Sequence, residues 1–177
     1  MDSEHLDQAA DGSPVPAAST APMPVQPDGL WLDDLTEGMT FGSGTYEVTQ
    51  AEVTEFASRY DPQLFHLDEE EAHGTFFGGL AASGWHTAAI TMRLLVTSGI
   101  PIATGVIGTD ISIKWPTPTR PGDILHLEIT VKTITPSNSR PDRASVVLSY
   151  GTITQRGEIR QQTTGRILAW RQPQPHA

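Results

Sequence analysis

Asp61 and His66 stand in the segment Tyr60-Asp61-Pro62-Gln63-Leu64-Phe65-His66-Leu67-Asp68, close enough in the chain to flank a single water molecule. An imidazole takes or gives a proton near neutral pH, and a carboxylate beside it fixes the water and shares the transfer. Such a pair is typically worth roughly 10²–10⁴ in rate. By spacing alone the bland reading is the simpler one: Asp61 caps a helix or opens a turn before Pro62, and His66 is a satisfied, half-buried imidazole.

A second candidate lies downstream, where Gly78-Gly79-Leu80-Ala81-Ala82-Ser83-Gly84-Trp85-His86 runs into an apolar helix. Glycine lets a ligand approach backbone N–H groups, and a helix N-terminus favours developing negative charge. The Gly84 N–H is placed to hold an enolate oxygen, and losing one such donor typically costs roughly 10²–10³ in rate. Close packing of the helix against a sheet explains the same glycines equally well. Ser83, Trp85 and His86 belong to this candidate site; Trp85 and His86 shape a pocket, although a bulky residue opening a buried helix is more often core. Ser83 lacks the Gly-x-Ser-x-Gly elbow of a serine nucleophile. His73 sits near several acids without a metal-ligand spacing, so no metal site is expected. His126 alternates outward on a strand and reads as surface. Arg140 and Arg143 on the loop 136–142 offer cations to a phosphate, with ordinary solvation as the plainer account.

These residues need elements to position them. Met39 to Val48 reads as a strand interrupted by Gly42 and Gly44, and Thr49-Gln50-Ala51-Glu52 is a capping box. Val53, Phe56, Ala57 and Tyr60 then mark one face of an amphipathic helix ending at Asp61-Pro62. The connection from Tyr60 to Asp68 is expected to be irregular, and Asp68 with Glu69, Glu70 and Glu71 starts a helix of a turn or two. From Trp85 to Ser98 the apolar residues surround the helix, which predicts burial on nearly every side. Gly99 and Pro101 end it. Ile107, Thr109, Ile111, Ile113 and Trp115 alternate with polar residues, as do Leu125, Leu127, Ile129 and Val131, so both runs predict half-buried strands. Segments 143–155 and 157–170 read as an antiparallel hairpin across Arg156-Gly157. The sum is an α+β hotdog domain, an antiparallel sheet wrapped around one long helix. Its open edge and incompletely covered face predict a homodimer or higher homo-oligomer.

Residues 29–172 form this one domain, a size that holds a real core. Residues 1–28 carry five acids, no Lys or Arg and several prolines, and are expected to be a disordered tail, as are residues 173–177. The 177-residue chain has 11 Lys+Arg against 21 Asp+Glu, a net charge of −10, and no basic stripe. Nucleic-acid and membrane partners are therefore not expected. The absence of Cys excludes disulfides and thiolate chemistry and agrees with a cytoplasmic location. No apolar run approaches the roughly 18–20 residues of a membrane span, and the N-terminus lacks a signal-peptide pattern.

Taken in order, the motifs resemble the MaoC-like acyl dehydratases and (R)-specific enoyl-CoA hydratases of the hotdog fold. The likeness covers most of residues 31–170: Phe56-Ala57 with Tyr60-Asp61-Pro62, then His66-Leu67-Asp68, then Gly78-Gly79-Leu80 with Ser83-Gly84, then Trp115-Pro116-Thr117-Pro118-Thr119-Arg120-Pro121-Gly122-Asp123. The resemblance implies that Asp61 and His66 are the catalytic pair and that the Gly84 N–H is the oxyanion donor. It implies a hydro-lyase acting on an enoyl or 3-hydroxyacyl thioester, with coenzyme A as part of the substrate, no other cofactor, and a 3R product. The chain departs from the pattern at Tyr60, at Pro62-Gln63, at Ser83 and at Met92, where some family hydratases carry a hydroxyl residue. A non-catalytic acyl-thioester-binding protein and a hotdog thioesterase are the alternatives.

Overall fold

The architecture is that of a computed structural model describing residues 26–173. The expected terminal tails fall mainly on residues 1–25 and 174–177, outside the described residues. The chain is already engaged at Gln26, whose N–H donates to the Ala103 carbonyl at 2.8 Å.

Three long strands make the core surface. In β4 (Ile124–Pro136), β5 (Arg143–Thr154) and β6 (Ile159–Trp170) one side of each strand is buried: Leu125, Leu127, Ile129 and Val131, then Ala144, Val146, Leu148 and Tyr150, then Ile167 and Ala169. Each large apolar side chain so removed from water contributes roughly 1.5–3 kcal/mol, which makes this face the main source of stability. The β5–β6 hairpin turns at Arg156-Gly157, where Gly157 has φ +81°. The single interrupted strand expected at 39–48 is two short strands, β1 (Thr40–Gly42) and β2 (Tyr46–Glu47), both antiparallel to β4. With β3 (Ile107–Lys114) at one edge, the sheet order is β1-β4-β5-β6-β3, all antiparallel, and β2 also pairs with β4.

β3 (Ile107–Lys114) corrects the expectation of a half-buried strand. Among the described residues it pairs only with β6, and none of its residues is buried. Alternation along a strand tells which residues share a face but not whether anything covers that face.

The helices precede this sheet in sequence. Helix α1 (Gln50–Tyr60) starts at the capping box: Thr49 Oγ1 accepts the Glu52 N–H and the Glu52 carboxylate accepts the Thr49 N–H. Val53 and Ala57 are buried as expected, but Tyr60 is 70% exposed. The connection that follows is not irregular throughout, because a single helical turn, α2 (Leu64–Leu67), carries His66 and leads into α3 (Glu69–His73). Helix α4 (Gly84–Leu94) continues as a π-helical turn to Gly99 and packs Thr87, Ile90, Thr91, Leu94 and Leu95 toward the sheet. Its burial is one-sided: Trp85, Met92 and Val96 on the opposite stripe are exposed. An antiparallel sheet with one long helix packed on it is the α+β hotdog architecture.

Candidate active site

Helix α1 cannot continue past Asp61, since the next residue is Pro62, which has no N–H and biases its predecessor away from the helical region. Asp61 accordingly sits at the C-cap with φ −151°, and the Gln63 N–H closes a tight turn onto its carbonyl at 2.7 Å. This reversal brings the carboxylate back toward α2, so that His66 Nε2 lies 3.4 Å from Asp61 Oδ2. The imidazole is buried, with Phe65 edge-on at 4.5 Å and Phe77 on another side at 6.0 Å.

The other ring nitrogen settles the tautomer. His66 Nδ1 is 2.7 Å from the Ala81 carbonyl, which only accepts, so Nδ1 carries the proton. With its proton on Nδ1, the neutral form of His66 presents the Nε2 lone pair toward a carboxylate that is also an acceptor. Two acceptors 3.4 Å apart need a proton donor to both, the arrangement that binds and activates a water.

Asp61 is held from two further directions. Ser83 Oγ donates to Oδ2 at 2.6 Å, and Gln63 Nε2 donates to Oδ1 at 2.7 Å. Burial pushes the carboxyl pKa up, but the Ser83 hydroxyl, the Gln63 amide and the His66 ring outweigh it, so Asp61 titrates below its ordinary value. It is a carboxylate throughout the neutral range.

Asp61 and His66 open into a cavity of about 490 Å³ together with Gly84, Trp85, Thr87, Trp115 and Thr119. Gly84 is the first residue of α4, so its N–H is one of the first-turn donors that no helical carbonyl can satisfy. The neighbouring Trp85 N–H is taken by Ser83 Oγ at 3.2 Å. A glycine is required at 84 for a steric reason: a Cβ would lie 2.9 Å from Trp115 Cε2. Trp115 is fixed in turn by its Nε1–H donating to Gln161 Oε1 at 2.9 Å, and it meets Trp85 edge-on at 5.7 Å.

Asp61, His66 and Gly84 thus line one cavity on a hotdog scaffold, and residues 35–154 match the family described as MaoC like domain. The chain belongs to that family. Among solved structures, this MaoC-like protein is similar to the MaoC-like dehydratase from Rhodospirillum rubrum, with 57% identity and a TM-score of 0.82 over 82% of this chain and 100% of that one. It shares its fold with the (R)-hydratase from A. caviae involved in PHA biosynthesis, at 24% identity and a TM-score of 0.59 over 78% of this chain and 98% of that one. The uncharacterized protein YdeM of Bacillus subtilis is 31% identical over 119 residues, 67% of this chain and 84% of that protein.

The structure distributes the remaining candidates differently from the sequence expectation. Ser83 is fully buried and touches Asp61 and the Trp85 amide instead of lining the cavity. Trp85 is not core: it is 63% exposed and forms part of the cavity wall. His86 does not shape this cavity. It points to the other side of α4, stacks on Phe56 at 4.7 Å, and has a buried Nδ1 without a partner among the described residues. Burial lowers its pKa, against the opposing pull of Glu52. Arg140 and Arg143 lie at the β4–β5 end of the sheet, whereas Trp115 and Thr117 of the cavity bond to Gln161 and Ile159 at the β5–β6 end. Within one chain those arginines are a strand's length from the site.

Several site residues had no readable signal in the sequence. The Ala81 carbonyl is backbone and any residue supplies one. Gln63 stood out only as a departure from the family pattern, and Thr87, Thr119 and Phe77 join the cavity through contacts across the fold.

Proposed function

We propose that this MaoC-like protein is a hydro-lyase that adds water to a trans-2-enoyl thioester of coenzyme A, or removes it from the matching 3-hydroxyacyl thioester. One observation carries the reading: His66 Nε2 and Asp61 Oδ2 face one another at 3.4 Å in the cavity that also contains Gly84. In hydration the water oxygen bonds to C3 while its proton passes to the pair. The C2–C3 π electrons move toward the carbonyl, giving an enolate whose oxygen the Gly84 N–H stabilises. Transfer of a proton from the pair to C2 restores the thioester, with no net gain or loss beyond the water. Water attack and protonation from one side give syn addition, and the family resemblance supports a 3R product.

Exposed apolar surface on α4 and β3 supports a homodimer. Among the described residues the outer edge of β3 is unpaired, and Trp85 and Met92 on α4, Val96 on the turn that continues it and Ile111 on β3 are exposed apolar side chains.

Incubation with crotonyl-CoA and longer enoyl-CoAs, following both the conjugated absorbance and free thiol, tests the activity. Loss of absorbance without thiol release is the expected result. Thiol release would indicate hydrolysis, and neither signal across the series would overturn the enzymatic reading.

A further inference from the structure

The geometry points to Arg120 as a positioning residue that sets the tautomer of His66, acting through the backbone of residues 77–81. Its guanidinium donates to three carbonyls of one loop: Nη1 to Gly79 at 2.6 Å and to Leu80 at 2.8 Å, and Nη2 to Phe77. No carboxylate among the described residues lies within salt-bridge distance of this group, which distinguishes it from Arg156 and Arg160. The rigid fork of donors is directed wholly at backbone.

That loop is one that needs holding. Gly78 and Gly79 adopt φ +61° and +147°, and two adjacent glycines carry the largest conformational entropy a chain can have. Beyond the arginine's three contacts, the Ala81 N–H donates to the Phe65 carbonyl at 3.1 Å and the Ala82 N–H to the Thr119 carbonyl at 2.9 Å. The next carbonyl after Leu80 is that of Ala81, the acceptor for His66 Nδ1 at 2.7 Å. Arg120 is anchored at its own end: its N–H donates to Asp123 Oδ2 at 2.9 Å, and Arg160 and Arg156 grip the same buried carboxylate at 2.8 Å. Hydrogen bonds from the Arg120-Pro121-Gly122-Asp123 turn to the Gly79 and Leu80 carbonyls, one covalent step along the backbone to Ala81, and the bond accepted by the Ala81 carbonyl therefore link that turn to the ring nitrogen that must carry the proton. Without the Arg120 fork the peptide unit that carries the Ala81 carbonyl keeps only the Ala81 and Ala82 N–H bonds beside two mobile glycines, and the loosened carbonyl lets the imidazole place its proton on Nε2, where it can no longer accept one from water.

The catalytic consequence rests on the hydratase reading; the tautomer itself does not, and the two are measured separately. Protein labelled with ¹⁵N-histidine reports which ring nitrogen is protonated, with the His66 signals assigned by their loss in His66→Gln. The expected spectrum of the unaltered protein has Nδ1 protonated and Nε2 bare. Arg120→Met should give a mixed or inverted pattern, and Arg120→Lys, a single point donor, an intermediate one. With crotonyl-CoA, kcat should fall by about tenfold or more, bounded by the roughly 10⁴ that a wrong tautomer costs, while KM changes little. If Arg120→Met does not fold, the same spectrum of Arg120→Lys decides. A folded variant with a lowered melting temperature but the original His66 signals and kcat would make Arg120 a stability element alone and overturn the proposal. Absence of any hydration by the unaltered protein, with the tautomer shift still present in the variants, would sink the hydratase reading and leave this one standing.

Discussion

His66 turns one ring nitrogen to the Ala81 carbonyl at 2.7 Å and the other to Asp61 Oδ2 at 3.4 Å, so one atom orients the side chain while the other faces the carboxylate. Separating those two functions on two atoms is what allows an imidazole to act as a base.

Asp61→Asn and His66→Gln should each reduce kcat by roughly 10²–10⁴. Circular dichroism should show the fold intact, because both side chains face the cavity and neither belongs to the apolar cluster on the sheet. Steady-state kinetics with an enoyl-CoA is the check; unaltered kcat in either variant rejects the assigned pair.

Ser83→Ala removes two bonds at once. Loss of the helix cap on the Trp85 amide should cost about 1 kcal/mol of stability, read from denaturant unfolding. Loss of the hydroxyl on Asp61 removes an influence that lowers its pKa while burial continues to raise it. The acid limb of the kcat/KM profile should therefore move to higher pH, and a profile that stays in place would show that Ser83 does not tune the carboxylate.

Gly84→Ala should be disruptive out of proportion to one methyl group. The added Cβ would lie 2.9 Å from the Trp115 ring, so the indole must shift and its bond to Gln161 must lengthen. A cost of about 1–3 kcal/mol and a change in tryptophan fluorescence are expected. Gly84→Ala combined with Trp115→Leu should recover much of that stability.

Asp123→Asn should cost at most roughly 3–5 kcal/mol, because Arg160 loses its buried counter-charge and keeps only the half-exposed Glu158. Burial raises the Asp123 carboxyl pKa, but its bonds to Arg160 and to the Arg120 N–H, with Arg156 nearby, bring it below the ordinary value. A depressed folded-state pKa stabilises the native protein above the ordinary carboxyl range and loses that contribution as pH falls through the folded value. Acid unfolding of the unaltered protein should be steeper than that of Asp123→Asn, and equal pH dependence would contradict the ion network.

Much of this protein is determined by short-range pattern, and so was legible without coordinates. The Thr49–Glu52 capping box, the termination of α1 before Pro62, the buried alternation of β4 and the Arg156-Gly157 turn each follow from residues within a few positions of one another. The order of Asp61, His66 and Ser83-Gly84 along the chain carries the family likeness for the same reason. What the tertiary structure alone decided depends on which surfaces meet. β3 has the alternation of a half-buried strand but lies at an uncovered edge, α4 is apolar all round yet buries one side, and His86 faces Phe56 while Trp85, its neighbour in sequence, lines the cavity. The Arg120 fork on residues 77–80 and the Ala81 carbonyl on His66 join positions far apart in sequence through backbone atoms, and backbone atoms leave no mark in a sequence.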